Sequence, residues 1–96
     1  MNLIAGKSDN ETPIISGEYI FNMIDSYGFP FYLILELLEE NDLGFDVKGF
    51  IIKAKTSKNY ENKDRLISLF RDNIRKSHNS EKIMKLVKLL IDKIYA

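Results

Sequence analysis

Gly28-Phe29-Pro30-Phe31-Tyr32-Leu33-Ile34-Leu35-Glu36-Leu37-Leu38-Glu39-Glu40-Asn41 is the stretch that decides the fold class. Glycine takes a left-handed backbone readily, so Gly28 is predicted to end a helix and to hold that conformation. Pro30 then falls at the first position of a second helix, where its missing N–H costs nothing. At about 100° per residue, Phe31, Leu33, Ile34, Leu35, Leu37 and Leu38 cover most of the circumference of that helix. Only Glu36, Glu39 and Glu40 form a polar strip. A helix apolar on most sides belongs in the middle of a domain, with Leu35 and Leu38 expected to be nearly fully buried.

Outward from this helix, the pattern stays helical. Ser16 is a fair N-cap for a first helix from Gly17 to about Tyr27. Its apolar side is expected to hold Tyr19, Ile20, Phe21, Met23, Ile24 and Tyr27, leaving Glu18, Asn22, Asp25 and Ser26 on the other. Asp46 caps a short third helix, about Val47 to Lys55, with Phe50 and Ile51 inward. Thr56 to Asn62 reads as a connecting loop. A fourth helix runs from about Lys63 to Lys76 with Leu66, Phe70, Asn73 and Ile74 on one side, and Ser77 to Asn79 break it. Ser80 caps a fifth helix to about Tyr95. There Ile83, Leu86, Val87, Leu90, Ile91 and Ile94 share one arc and Lys82, Lys85, Lys88 and Lys93 the other, with Leu89 and Tyr95 outlying. Strand alternation is nowhere longer than a few residues. The expected fold is all-α, a compact bundle of about five short helices without a sheet. Residues 1–15 are expected to be a flexible lead-in, and 16–96 a single helical domain.

Bulk properties agree with an ordinary globular chain. Of 96 residues, 45% are hydrophobic and 29% charged, room for one modest core. The absence of cysteine excludes disulfides and thiolate zinc sites. No apolar run approaches the roughly 20 residues that span a bilayer, and the N-terminus lacks the pattern of a signal peptide. A cytoplasmic protein with no membrane partner is expected. Net charge is zero, yet residues 1–50 carry 2 Lys against 9 Asp/Glu, and residues 51–96 carry 12 Lys/Arg against 5 Asp/Glu. Such asymmetry suggests a basic interaction surface in the second half; the alternative is that the halves neutralise each other on folding.

Catalytic and metal motifs are missing. Gly6-Lys7-Ser8 imitates the end of a phosphate-binding loop, but the glycine required five residues earlier is Met1. His78 is the only histidine and reads as an exposed loop residue. Glu36, Glu39 and Glu40 have the spacing to share a metal, but such sites recruit histidine or carboxylates from other helices, so a solvated face explains them. No catalytic residue, metal ligand or cofactor is predicted.

One segment carries a resemblance. Ser16-Gly17-Glu18-Tyr19-Ile20-Phe21-Asn22-Met23-Ile24-Asp25-Ser26-Tyr27-Gly28-Phe29-Pro30 resembles part of alanyl-tRNA synthetase, in which a helix ending in Asp-Thr-Tyr-Gly-Phe-Pro lies in the helical, tRNA-recognising region. The likeness continues through Glu39-Glu40-Asn41-Asp42-Leu43 to Asp46-Val47-Lys48-Gly49-Phe50, covering residues 16–55. Ser26 stands in place of the usual threonine, Ile24 where an aromatic is common, and Tyr32 where the family is usually acidic. The catalytic and editing domains have no counterpart in this chain, and residues 56–96, two basic amphipathic helices, match nothing in the family. The resemblance implies a non-catalytic recognition module for an alanine-type tRNA acceptor stem. It also implies that Asp25, at the position of the motif's aspartate, helps read a G·U wobble pair.

Asp25 sits where the helix dipole disfavours an anion. Either it reads bases, or it accepts hydrogen bonds from the turn at Tyr27 and Gly28 and stabilises the corner built by Tyr27, Phe29 and Pro30. On the first reading Asp25 and Asn22 face base edges, while Arg71, Arg75, Lys82, Lys85 and Lys88 meet phosphates. The alternative function is a protein-interaction adaptor, or a small inhibitor encoded by a mobile element, that reuses this scaffold.

Overall fold

In the computed structural model, which describes residues 2–3, 13–74 and 80–96, the chain is all-α, with five helices among the described residues. These are α1 (Gly17–Asp25), α2 (Phe31–Glu40), α3 (Val47–Lys55), α4 (Lys63–Ile74) and α5 (Ser80–Tyr95). The chain divides into two compact units, residues 1–53 and 54–96.

In the first unit, the Ser16 hydroxyl accepts the Tyr19 amide hydrogen and starts α1. Asp46 starts α3 in the same way, its carboxylate accepting from the Gly49 amide at 3.0 Å. The two starts lie close together. A Cβ at Gly17 would collide with the Phe50 amide nitrogen and the Asp46 carbonyl oxygen, so only glycine lets α1 approach the α3 backbone. Gly28 has φ 73°, as expected for the end of α1. Pro30, expected inside α2, instead caps it with an extended backbone (ψ 130°). Its carbonyl accepts from the Leu33 and Ile34 amides.

The end of α2 is built without glycine. Asp42 takes φ 54°, its amide donates to the Glu39 carbonyl, and the Leu43 amide donates to the Leu38 carbonyl at 2.8 Å. This pair of crossed bonds with a left-handed residue closes helices that glycine usually ends.

The expectation of no sheet is corrected. Three two-residue strands, β1 (Asn2–Leu3), β2 (Ile14–Ile15) and β3 (Gly44–Phe45), form a parallel sheet with β3 in the middle. Gly44 pairs with both Asn2 and Ile14, and Phe45 with both Leu3 and Ile15. Residues 2–3 and 14–15, expected to belong to a flexible lead-in, are therefore held in a ladder. Strands this short have no alternation to detect, and their partners are distant in sequence.

Four rings fill the core of this unit, and Phe50 of α3 is their hub. It stacks on Phe31 at 5.2 Å with an interplanar angle of 8°, and meets Phe21 and Phe45 edge-on at 5.3 and 5.4 Å. Such pairs add about 0.5–1.5 kcal/mol each beyond the area they bury. Around them lie buried Ile20, Ile34, Leu35, Leu38, Val47 and Ile51. Helix α2 is thus buried along one side only. Leu33 and Leu37, expected inside, are 38% and 51% exposed.

The second unit packs α4 against α5. Leu66, Phe70, Ile74, Val87 and Ile91 are buried, with Ala54. The connecting segment 56–62 contains one turn of 3-10 helix, Lys58–Tyr60, and the Tyr95 hydroxyl donates to the Tyr60 carbonyl at 2.6 Å. Tyr95, expected to be outlying, is therefore tied in and half-buried. Leu86, placed on the apolar arc, is 62% exposed. It lies only about 20–40° around the helix from Lys82 and Lys93, at the edge of the arc.

Candidate nucleic-acid interface

Asn22 and Asp25 lie on α1, three residues apart and about 60° apart around its axis. Asp25, the last residue of the helix, is exposed; Asn22 is half-buried. The helix turns its Gly17, Ile20 and Phe21 face to the core, which leaves the opposite face outward. There Tyr19, Asn22, Met23 and Ser26, with Tyr27 and Phe29 beyond the helix end, line a shallow groove. Tyr19 and Tyr27, placed by periodicity on the apolar side, are 59% and 74% exposed, and Phe29 is 47% exposed. The buried arc of a nine-residue helix is too narrow for six apolar side chains. Aromatic rings at the surface beside Asn22 are the feature that reading α1 as two-sided misses. The position of Tyr19, about 160° around the helix from Gly17, is a signal of it, whereas Tyr27 and Phe29 lie beyond the helix end, where periodicity gives none.

The corner itself is held by main-chain bonds. The Gly28 amide donates to the Ile24 carbonyl at 3.2 Å and the Phe29 amide to the Met23 carbonyl at 3.0 Å. One of the two donors that a corner role for Asp25 would draw on is thereby engaged by the backbone.

The basic candidates belong to the second unit. Lys82, Lys85 and Lys88 are exposed on α5, and Arg71 is exposed on α4. Arg71 and Lys88 come together, lining a groove between α4 and α5 with Lys63, Asp64, Ile67, Ser68 and Asp92. Lys63 is bonded to the Asp92 carboxylate at 2.9 Å, and this carboxylate raises the Lys63 pKa, first through the hydrogen bond and then through its charge. Lys82 and Lys85 do not line this groove. Arg75 and His78 lie outside the described residues, as do Gly6-Lys7-Ser8 and the Ser77 to Asn79 break. Among the described residues, no cluster of three or more His, Cys, Asp or Glu could hold a metal ion, and no helix is long and apolar enough to cross a membrane.

Comparison with known proteins finds alanine–tRNA ligases. The chain is similar to the enzyme of Prochlorococcus marinus strain SARG, 46% identical over 48 residues, which is 50% of this chain and 5% of the ligase. It is similar to that of Acetivibrio thermocellus, 43% identical over 51 residues, 53% of this chain and 6% of the ligase. With the Lactobacillus johnsonii enzyme it shares 36% identity over 64 residues, 67% of this chain and 7% of the ligase. The resemblance to alanyl-tRNA synthetase is thus matched by sequence similarity, which with the Lactobacillus johnsonii enzyme covers 64 residues and so extends past residue 55 into the segment expected to match nothing in that family. The chain spans about 5–7% of the length of these curated relatives. No family model matches, and no solved structure matches.

Proposed function

We propose that this chain is a non-catalytic recognition module that binds a tRNA acceptor stem of the alanine type, in the manner of the alanyl-tRNA synthetase region it resembles. The observation that carries the reading is an exposed Asp25 at the end of α1, in a chain similar to segments of alanine–tRNA ligases. A carboxylate accepts hydrogen bonds from base amino groups, and an amide can both donate and accept. Asp25 and Asn22 therefore suit base edges, while Arg71, Arg75, Lys82, Lys85 and Lys88 supply sequence-independent attraction to phosphates. On this reading the module carries out no aminoacylation of its own; its likeness covers a short segment of a ligase. On this reading it works in the cytoplasm, where it meets tRNA.

The test is binding to two RNA hairpins that differ in one pair of the stem, G·U in one and G·C in the other. Wild type prefers the G·U stem, and Asp25→Asn keeps general affinity while reducing that preference, since a misread pair costs about 1–3 kcal/mol only at its own position. Equal binding of both stems by wild type would make Asp25 a corner residue. Failure to bind either stem at low salt would favour the second reading, an adaptor or small inhibitor that binds protein. The observation favouring that reading is the set of large apolar side chains left exposed at Tyr19, Tyr27, Phe29, Leu86 and Leu89.

A further inference from the structure

Two helices each carry an exposed stripe in which a leucine pair is flanked by charges of one sign. On α2, Glu36, Glu40, Leu33 and Leu37 fall within an arc of about 100°, and all four are exposed. On α5, Lys82, Lys85, Leu86, Leu89 and Lys93 fall within an arc of similar width, and all five are exposed. The leucines are 38–51% exposed on the first stripe and 62–65% on the second. Single exposed leucines are ordinary. A pair one turn apart on each of two helices, set among acids on one and lysines on the other, is a pattern of helix-to-helix recognition.

We propose that the α2 stripe of one copy of this chain docks on the α5 stripe of a second copy. The leucine pairs would interdigitate while Glu36 and Glu40 face Lys82, Lys85 and Lys93. Charge complementarity selects this occupant, since the acidic stripe that fits the lysine-lined face is carried by the same sequence. The two surfaces differ, so the contact is heterologous, and further copies can add to the free stripe at either end. The association is weak and salt-sensitive, because its charges are exposed and screened. Lys88 and Arg71 lie off the stripe and stay open to other ligands.

Sedimentation of the whole chain without RNA tests this. Wild type should show an average mass that rises with concentration, over about the micromolar to millimolar range, in low salt, and that falls back toward monomer in about 0.5 M salt. The double variant Glu36→Lys/Glu40→Lys should be monomeric by itself, as should Lys82→Glu/Lys85→Glu. An equimolar mixture of the two should associate again, because each reversed stripe finds its complement on the other. Circular dichroism verifies that these surface variants fold, and the wild-type dilution series needs no variant. A wild type that stays monomeric throughout would overturn the proposal, and so would either variant associating like wild type, or a mixture that stays monomeric. Lys82 and Lys85 also belong to the phosphate contacts proposed above, so RNA and a second copy compete for this face. A wild type that stays monomeric while binding hairpin RNA gives the α5 face to RNA, and the proposal fails. Because the main measurement contains no RNA, its failure leaves the acceptor-stem reading standing, and the reverse holds too.

Discussion

Gly28 has φ 73°, and a Cβ built on it would meet no atom within 4 Å. Replacing it with alanine therefore exposes the conformational penalty alone, about 1–2 kcal/mol, read as a lower midpoint in urea, and asparagine should restore part of the loss. Asp42 is the mirror case. It holds φ 54° where glycine would sit without strain, so Asp42→Gly should stabilise the first unit by about 0.5–1 kcal/mol, visible as a higher urea midpoint with unchanged slope. A drop in stability would mean that the Asp42 side chain contributes more than its backbone costs. These two turns are unequally legible in the sequence. Gly28 is readable because Pro30 forces a new start two residues on, whereas aspartate is used in caps, turns and open loops alike, so Asp42 gives no local sign. Gly17 is also opaque, because the backbone it must clear belongs to Asp46 and Phe50, some thirty residues away in sequence.

Helix positions follow from apolar spacing and caps, and α3 is readable with both its ends. The depth at which each face sits is less legible, since it depends on what packs opposite. On α2, Leu35 and Leu38 are each 5% exposed, and truncating either to alanine should cost about 2–5 kcal/mol. The exposed Leu37 on the same helix should cost well under that, and denaturant titration of the three variants gives the comparison. In the second unit, the Tyr95 hydroxyl ties α5 to the 3-10 turn at Tyr60, and burial raises the Tyr95 pKa above its ordinary value near 10. An acid whose folded pKa is raised is held in its neutral form by folding. Its contribution is complete below pH of about 10 and is lost as pH climbs through the raised value. Thermal melts of wild type should accordingly fall off above pH of about 10. Tyr95→Phe should lose about 1 kcal/mol at neutral pH, the worth of one hydrogen bond, and show a flatter alkaline decline. Equal declines in the two proteins would assign the effect elsewhere, the exposed Lys63–Asp92 pair included, since Lys63 too has its pKa raised.

Across the whole molecule, the charge is divided rather than absent, with the acidic residues concentrated in 1–50 and the basic ones in 51–96. That division is legible by counting. Which cations converge is not, because the groove shared by Arg71 and Lys88 depends on how α4 packs on α5, and helix periodicity treats each helix alone. A chain of zero net charge has no long-range pull on RNA, so any binding must rest on local cations, and each cation that meets a phosphate leaves its mark on the salt dependence. Removing one such cation should make the slope of log affinity against log salt shallower by about 0.7–0.9 units, whatever the sequence of the RNA. Lys82→Ala/Lys85→Ala/Lys88→Ala should therefore weaken binding to G·U and G·C hairpins by the same factor and reduce the slope by about 2–3 units. Arg71→Ala should reduce it by about one unit. The measurement is hairpin affinity at four or more salt concentrations, with circular dichroism to verify folding. A triple variant whose slope equals that of wild type would make the α5 lysines a solvated face, and would leave Arg71 and its neighbours in the α4–α5 groove as the place where phosphate is held.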